Sequence, residues 1–90
     1  LSQVEAGEEF LRELGLSGQI RVRNHKEIVR LEIEPNDIPR LMQFAIRNRV
    51  TEFFKGLGFK YITLDLEGYN MGSLNRVIAA AQKERHNGQR

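Results

Sequence analysis

Between residues 19 and 66 the hydrophobic pattern changes its period twice, and these changes restrict the folds that the chain can adopt. Across residues 19–33 apolar and polar side chains alternate, which predicts two strands, and the polar run 24–27 predicts a hairpin turn between them. Across residues 38–57 the apolar side chains instead follow spacings of three and four, which predicts one long amphipathic helix. Alternation returns at 59–66, where we predict a third strand.

The predicted hairpin has one apolar face and one charged face. Alternation places the apolar side chains of Ile20, Val22, Val29, Leu31 and Ile33 on the inner face. It places the side chains of Arg21, Arg23, Ile28, Arg30, Glu32 and Glu34 on the outer face. We therefore expect the outer face to be solvated, with opposite charges across the strands contributing about 0.2–1 kcal/mol per pair.

Helix start signals complete the order of elements. Ser2 and Glu5 form a capping box, which predicts a first helix at about 3–14. Ser73 is a favourable N-cap for a last helix at about 74–84. The complete predicted order is therefore helix, strand, strand, helix, strand, helix.

This order predicts a small open α+β sandwich, with helices mainly on one face of a three-stranded mixed sheet. Because strand–helix–strand crossovers are right-handed, the third strand is expected to run parallel to the second, beside the antiparallel hairpin. Residues 1–90 are predicted to form a single domain with one small core. The tail 85–90 has no apolar periodicity and is expected to fray. Because the chain begins at Leu1 and enters a helix at once, we expect it to be a piece of a longer protein.

Composition excludes several classes of function. Fourteen Lys and Arg against twelve Asp and Glu are too balanced to predict a nucleic-acid or membrane surface. The absence of cysteine excludes disulfides, thiolate zinc sites and cysteine nucleophiles, and two isolated histidines do not predict a metal site. No apolar run approaches the roughly 20 residues of a membrane span. We predict a cytoplasmic protein without membrane contact.

The first candidate site is the arginine pair in the sequence RVR. Arg21 and Arg23 share one strand face, about 6.5–7 Å apart along the chain. Guanidinium groups bind phosphate or carboxylate through paired hydrogen bonds, so the pair is a candidate anion clamp. The alternative is that both arginines are solvated or pair with acidic neighbours across the hairpin. Spacing alone leaves both interpretations open.

The second candidate is the loop 67–72 together with the helix start at Ser73. Gly68 permits backbone conformations that are closed to other residues, and a helix N-terminus can hold an anion. The loop matches no nucleotide-binding motif, so the alternative is a plain connection. Asp65 and Glu67 are interpreted as ladder-pairing or loop-capping residues rather than as an acid–base pair.

Three stretches of the sequence together resemble a known family. EEFLRELGL, IRVRNHKEIVRLEI and LGFKYITLDLEGYNMGSLN occur in the same order as in the C-terminal region of the LarE-like family, which are PP-loop, ATP-dependent sacrificial sulfur transferases of the adenine nucleotide α-hydrolase superfamily. The resemblance covers most of the chain. It implies a full-length enzyme that uses ATP and Mg²⁺ to adenylate a carboxylate on a pyridinium mononucleotide and then installs sulfur, during synthesis of a nickel-pincer cofactor.

The resemblance also implies roles for particular residues. Arg21 and Arg23 match the family's paired arginines, which would grip a phosphate of the substrate. Glu8 matches an acidic position near that site, and Ser73 of the loop candidate is the second accessory position. The implied partners are an N-terminal PP-loop domain of the same protein, a pyridinium mononucleotide-type substrate and further copies in a homo-oligomer.

The chain departs from the family pattern in ways that limit the prediction. It has no Ser-Gly-Gly-x-Asp-Ser PP-loop and no cysteine, so these 90 residues alone are expected neither to use ATP and Mg²⁺ nor to donate sulfur. Asn70 and Met71 follow Tyr69 where the family loop reads Gly-Tyr-Arg-Ser-Gly, which weakens the prediction of an anion site in the loop.

We therefore predict a substrate-phosphate-binding and assembly domain of a sulfur transferase. One alternative is a purely structural dimerisation or docking module without a ligand site. A less favoured alternative is an RNA-binding module, because the hairpin lacks the exposed aromatic residues on which bases would stack.

Overall fold

Residues 1–69 are described by the structure, a computed structural model, and they follow the predicted order of elements as far as the third strand. The elements are α1 (Gln3–Glu13), β1 (Ile20–His25), β2 (Ile28–Ile33), a 3₁₀ turn (Pro35–Asp37), α2 (Ile38–Leu41), α3 (Phe44–Gly56) and β3 (Tyr61–Leu64). The predicted last helix at 74–84 and the predicted frayed tail at 85–90 lie outside the described residues. Within 1–69, no helix has the length and apolar character that a membrane span requires.

The three strands form one mixed sheet in the order β1-β2-β3. β1 pairs antiparallel with β2, which brings Ile20 opposite Ile33. β3 pairs parallel with β2, which brings Leu64 opposite Leu31. This arrangement confirms the α+β class and the mixed sheet that were predicted from the change of hydrophobic period. A parallel neighbour requires a long crossover, and the helical segment between β2 and β3 supplies it.

The core lies between the inner face of the sheet and the helices. Its buried members are Leu11, Leu14, Leu16, Ile20, Val22, Val29, Leu31, Ile33, Leu41, Val50, Phe54 and Phe59. The side chain of Phe54 is fully buried, and its ring meets those of Phe10 and Phe53 edge-on, at centroid distances of 6.4 and 5.6 Å. Such edge-to-face pairs contribute about 0.5–1.5 kcal/mol each beyond their buried area. The hairpin contributes the five inner-face residues that alternation predicted.

Helix α1 contacts this aromatic group through a glycine. A Cβ atom added at Gly7 would lie 2.5 Å from Cε1 of Phe54, well inside ordinary carbon–carbon contact. Glycine is unfavourable in a helix interior by about 1 kcal/mol relative to alanine, and the close approach of the ring offsets this cost. The capping box at the start of α1 is present, with the Ser2 hydroxyl accepting from the Glu5 amide and the Glu5 carboxylate accepting from the Ser2 amide.

The single long helix predicted over 38–57 is wrong in one respect, because the structure divides it. α2 ends at Leu41, and Gln43 adopts an extended backbone with φ −59° and ψ 138° before α3 begins. Periodicity reports which side of a segment is apolar, and it does not report whether the helix axis continues. Here the first part is held against the end of α1, where Arg40 donates two hydrogen bonds to the carbonyl of Leu14 at 3.1 and 2.9 Å.

Candidate anion-binding site

Arg21 and Arg23 project from the outer face of β1. They alternate with Val22, whose side chain is buried in the core on the inner face, so strand geometry turns both guanidinium groups the other way. Both arginines are half-buried rather than fully solvated. The structure thus brings together the two residues that the sequence selected as an anion clamp.

Glu32 lies beside the arginine pair and is buried, which contradicts the expectation that the outer face of β2 is solvated. In the strand register Glu32 stands opposite Arg21, and its side chain is 1% exposed. Its Oε2 atom lies 3.6 Å from Nε of Arg23 and 3.2 Å from Nη2 of Arg30. A buried carboxylate requires a cationic partner, and the guanidinium groups of Arg23 and Arg30 both serve as one.

The ion pairs around Glu32 do not saturate the polar groups that form them. Both carboxylate oxygens of Glu32 and the Nε atoms of Arg23 and Arg30 are buried, and none of these atoms makes a hydrogen bond within residues 1–69. Buried polar atoms are usually hydrogen-bonded, so each exception requires an explanation. The cluster therefore combines close charge pairing with unused donor and acceptor capacity.

Arg21 is positioned by the segment that follows β3. Its Nη2 donates to the hydroxyl of Tyr69 at 3.4 Å, and its guanidinium carbon lies 5.6 Å from the centroid of the Tyr69 ring. An arginine at this distance from an aromatic ring is attracted by about 0.5–1 kcal/mol at an exposed site. Tyr69 is itself held to β2, because its amide donates to the carbonyl of Ile33 at 2.6 Å.

Gly68 allows this segment to approach β2. Its φ of +82° lies in the left-handed region, and an added Cβ would stand 2.5 Å from the carbonyl oxygen of Ile33. Only glycine fits both conditions without strain. The glycine that the sequence marked as a loop feature therefore serves to bring the ring of Tyr69 beside Arg21.

Glu8 reaches the same strand from α1. Its Oε2 accepts a hydrogen bond from the amide of Val22 at 3.2 Å, at the residue between the two arginines. β1 is an edge strand of the sheet within residues 1–69, so one side of its backbone has no neighbouring strand there. Glu8 supplies the acceptor for the Val22 amide on that side. In the structure Glu8 therefore lies next to the arginine pair, where it accepts a backbone hydrogen bond, and its part in a ligand site remains a prediction.

The remaining predicted site positions are divided between the loop and the undescribed segment. The Oδ1 atom of Asp65 accepts from the amide of Glu67 at 2.9 Å, which is the loop-capping role that the sequence favoured. Ser73, Asn70 and Met71 lie outside the described residues, so the loop's candidate anion site remains a prediction.

Residues 1–69 contain no group of three or more His, Asp or Glu side chains placed to hold a metal ion. They do contain a polar cavity of about 370 Å³, lined by Arg12, Ser17, Gly18, Gln19, Ile20, Glu34, Asn36 and Asp37. In this cavity one carboxylate oxygen of Asp37 accepts a hydrogen bond from the amide of Gly18, at 3.0 Å. Neither arginine of the pair lines this cavity.

Sequence reasoning missed Arg30 and Tyr69 as members of the arginine site, and it considered Glu32 only as a possible cross-strand partner of the arginines. For Arg30 and Glu32 a signal was present, because alternation on β2 puts both on the face that carries the arginine pair. For Tyr69 the signal was weak. In the sequence, a tyrosine after a glycine indicates only that a turn ends in an aromatic residue. The position of the Tyr69 ring is set by the return of the loop to β2, where the Tyr69 amide bonds to the carbonyl of Ile33.

Comparison with known proteins identifies relatives over most of this chain. No family model matches it. It is 41% identical over 78 residues to an uncharacterised protein of Synechocystis sp., covering 87% of this chain and 29% of the relative. It is 39% identical over 82 residues to the pyridinium-3,5-bisthiocarboxylic acid mononucleotide synthase of Lactiplantibacillus plantarum, covering 91% of this chain and 29% of that enzyme.

The chain thus spans less than a third of the length of the curated relatives that it matches. The similarity to the synthase supports a LarE-like relationship over this region.

Proposed function

We propose that this chain is the C-terminal accessory region of an ATP-dependent sulfur transferase, and that Arg21 and Arg23 bind the phosphate of a pyridinium mononucleotide. The observation that carries the proposal is the common orientation of the two guanidinium groups on the outer face of β1. The name of the Lactiplantibacillus plantarum relative, a pyridinium mononucleotide synthase, supports the choice of ligand.

The contacts of each arginine leave donors for a ligand. Arg23 approaches Glu32 through Nε, and its two terminal nitrogens make no hydrogen bond to residues 1–69. Arg21 uses one terminal nitrogen for Tyr69 and retains its other donors. Arginine side chains that are already held lose less freedom on binding, so the arrangement is preorganised for an oxyanion. A phosphate with three acceptor oxygens suits this set of donors.

The proposal assigns the chemical steps to another part of a longer protein. The sequence holds no PP-loop motif and no cysteine, so ATP and Mg²⁺ are assigned to an N-terminal PP-loop domain. The role of these residues is to bind one end of the substrate and to contribute to assembly into a homo-oligomer. Because ATP and mononucleotides are metabolites of the cytoplasm, the proposal places the protein there.

The test is the double substitution Arg21→Ala and Arg23→Ala in the full-length protein. Each charged hydrogen bond contributes about 1.5–3 kcal/mol, so loss of both is expected to weaken binding of nicotinamide mononucleotide by about 100-fold or more. Isothermal titration calorimetry measures this affinity, and thermal unfolding shows whether the fold is retained. Arg49→Ala is the matched control, because it removes an exposed arginine of α3. Unchanged affinity in a folded double variant refutes the proposal.

The second candidate is a structural docking module without a ligand. It is favoured by the fact that both arginines already have partners inside the chain, Glu32 and Tyr69. In that case the double variant unfolds at a lower temperature or changes its oligomeric mass, while the affinity for the mononucleotide stays the same.

A further inference from the structure

We infer that Arg30 is a third cationic residue of this site and that it makes the site selective for a doubly charged phosphate monoester over a singly charged anion. The inference rests on the proposed function. It adds a specificity-determining residue that neither the arginine motif nor the comparisons indicate.

Arg30 lies next to Arg23 on the outer face of the hairpin. In the antiparallel register Arg30 stands directly opposite Arg23, on the outer face. Both guanidinium groups approach the same oxygen of Glu32, at 3.2 and 3.6 Å. Their side chains are 40% and 34% exposed, so each has one part against Glu32 and another part accessible from outside. A ligand that reaches Arg23 is therefore within reach of Arg30.

The positive charge that Arg30 adds to the site favours a highly charged anion. Arg21, Arg23 and Arg30 bring three positive charges to this face, against the carboxylate of Glu32 and that of Glu8 on the Val22 amide, which leaves a surplus of one. Like charges directly opposite each other destabilise a strand pair, and partial burial strengthens the repulsion. The attraction between Arg30 and a bound anion scales with the charge of the anion, so a dianion gains about twice as much from Arg30 as a monoanion does. A phosphate monoester carries about −1.5 to −2 charges near neutral pH.

The carboxylate of Glu32 is incompletely paired. This carboxylate lies close to two guanidinium groups, yet its oxygens make no hydrogen bond within the described part of the chain. Glu32 therefore holds Arg23 through Nε and Arg30 through Nη2, and leaves their other terminal nitrogens for a ligand. We assign Glu32 as a positioning residue and Arg30 as a ligand-contacting one.

The experiment compares two probes on the full-length protein by isothermal titration calorimetry. The phosphate group of nicotinamide mononucleotide is doubly charged at about pH 7.5, above its second pKa of about 6, and the phosphate group of its methyl ester is singly charged. The wild type is expected to prefer the mononucleotide by about tenfold, the effect of one charge-assisted hydrogen bond. Arg30→Gln should reduce this preference towards one, Arg30→Lys should restore most of it, and Arg49→Gln should leave it unchanged.

The ratio of the two affinities separates the inference from a structural role. If Arg30 only supported the fold through Glu32, Arg30→Gln would weaken both probes by the same factor and leave the ratio intact, and this result overturns the inference. Failure of the proposed function looks different. The wild type would then bind neither probe, or the Arg21→Ala and Arg23→Ala variant would bind both as the wild type does, and either outcome overturns the inference as well.

Discussion

Substitution of Gly7 by alanine tests how tightly α1 packs on the aromatic core. The new Cβ would lie 2.5 Å from Cε1 and 2.9 Å from Cζ of Phe54, where carbon atoms normally stand about 3.5–4.0 Å apart. The Phe54 ring cannot move aside easily, because it is fully buried and contacts the rings of Phe10, Phe53 and Phe59. The substitution therefore forces either the ring or the helix to shift.

Two opposing free energies decide the result. Alanine improves helix propensity by about 1 kcal/mol over glycine. Overpacking of a close-packed core costs about 1–3 kcal/mol, and the overlap of about 1 Å with a confined ring places Gly7→Ala in the upper half of that range. We expect a net loss of about 1–2 kcal/mol in the free energy of unfolding. For a domain of this size the unfolding midpoint should fall by roughly 5–15 °C.

Urea unfolding followed by circular dichroism measures the change, and Gly56→Ala is the matched control. Gly56 ends α3, and an added Cβ there meets no atom within 4 Å. The control should be neutral or stabilise the fold by up to about 1 kcal/mol. Opposite signs for the two substitutions support the packing argument. Equal stabilisation by both would show that the ring of Phe54 accommodates the methyl group and would refute it.

Two further predictions concern the loop and the helix start. Gly68→Ala should destabilise the fold by about 2 kcal/mol or more, because φ is +82° and the new Cβ meets the carbonyl of Ile33; an unchanged urea midpoint would contradict this. Hydrogen bonds that the backbone amide and the hydroxyl of Ser2 donate to its carboxylate lower the pKa of Glu5 below its ordinary 4.5. The ionised Glu5 side chain therefore stabilises the fold above pH 4.5, and this stabilisation is lost as the pH falls and the carboxylate is protonated. The unfolding midpoint of the Glu5→Gln variant should consequently vary less with pH below 4.5 than that of the wild type.

The sequence predicted the clamp geometry because strand alternation is a local property. Residues two apart on a strand face the same way whatever surrounds them, so Arg21 and Arg23 required no tertiary information. The same rule placed Arg30 and Glu32 on that face. It did not predict that Glu32 is buried, because burial depends on what covers a face rather than on which face a residue occupies.

The division of the long helix has a similar explanation. Its apolar spacing runs without interruption through 38–57, and a local pattern of this kind is equally compatible with one axis or two. The segment is divided into two helices with different contacts. The hydrogen bonds from Arg40 to the carbonyl of Leu14 hold α2 at the end of α1, whereas Val50 and Phe54 place α3 in the core that faces the sheet. Contacts between residues 26 apart in the chain are not visible to periodicity.

By itself the sequence determined the order of elements, the inner and outer faces of the hairpin and the common orientation of Arg21 and Arg23, since each follows from backbone geometry over a few residues. Tertiary structure decided which groups surround the arginines. The return of Tyr69 to Ile33 joins segments that are distant in the chain, and the burial of Glu32 depends on what covers the outer face of the hairpin; both depend on how the whole domain packs.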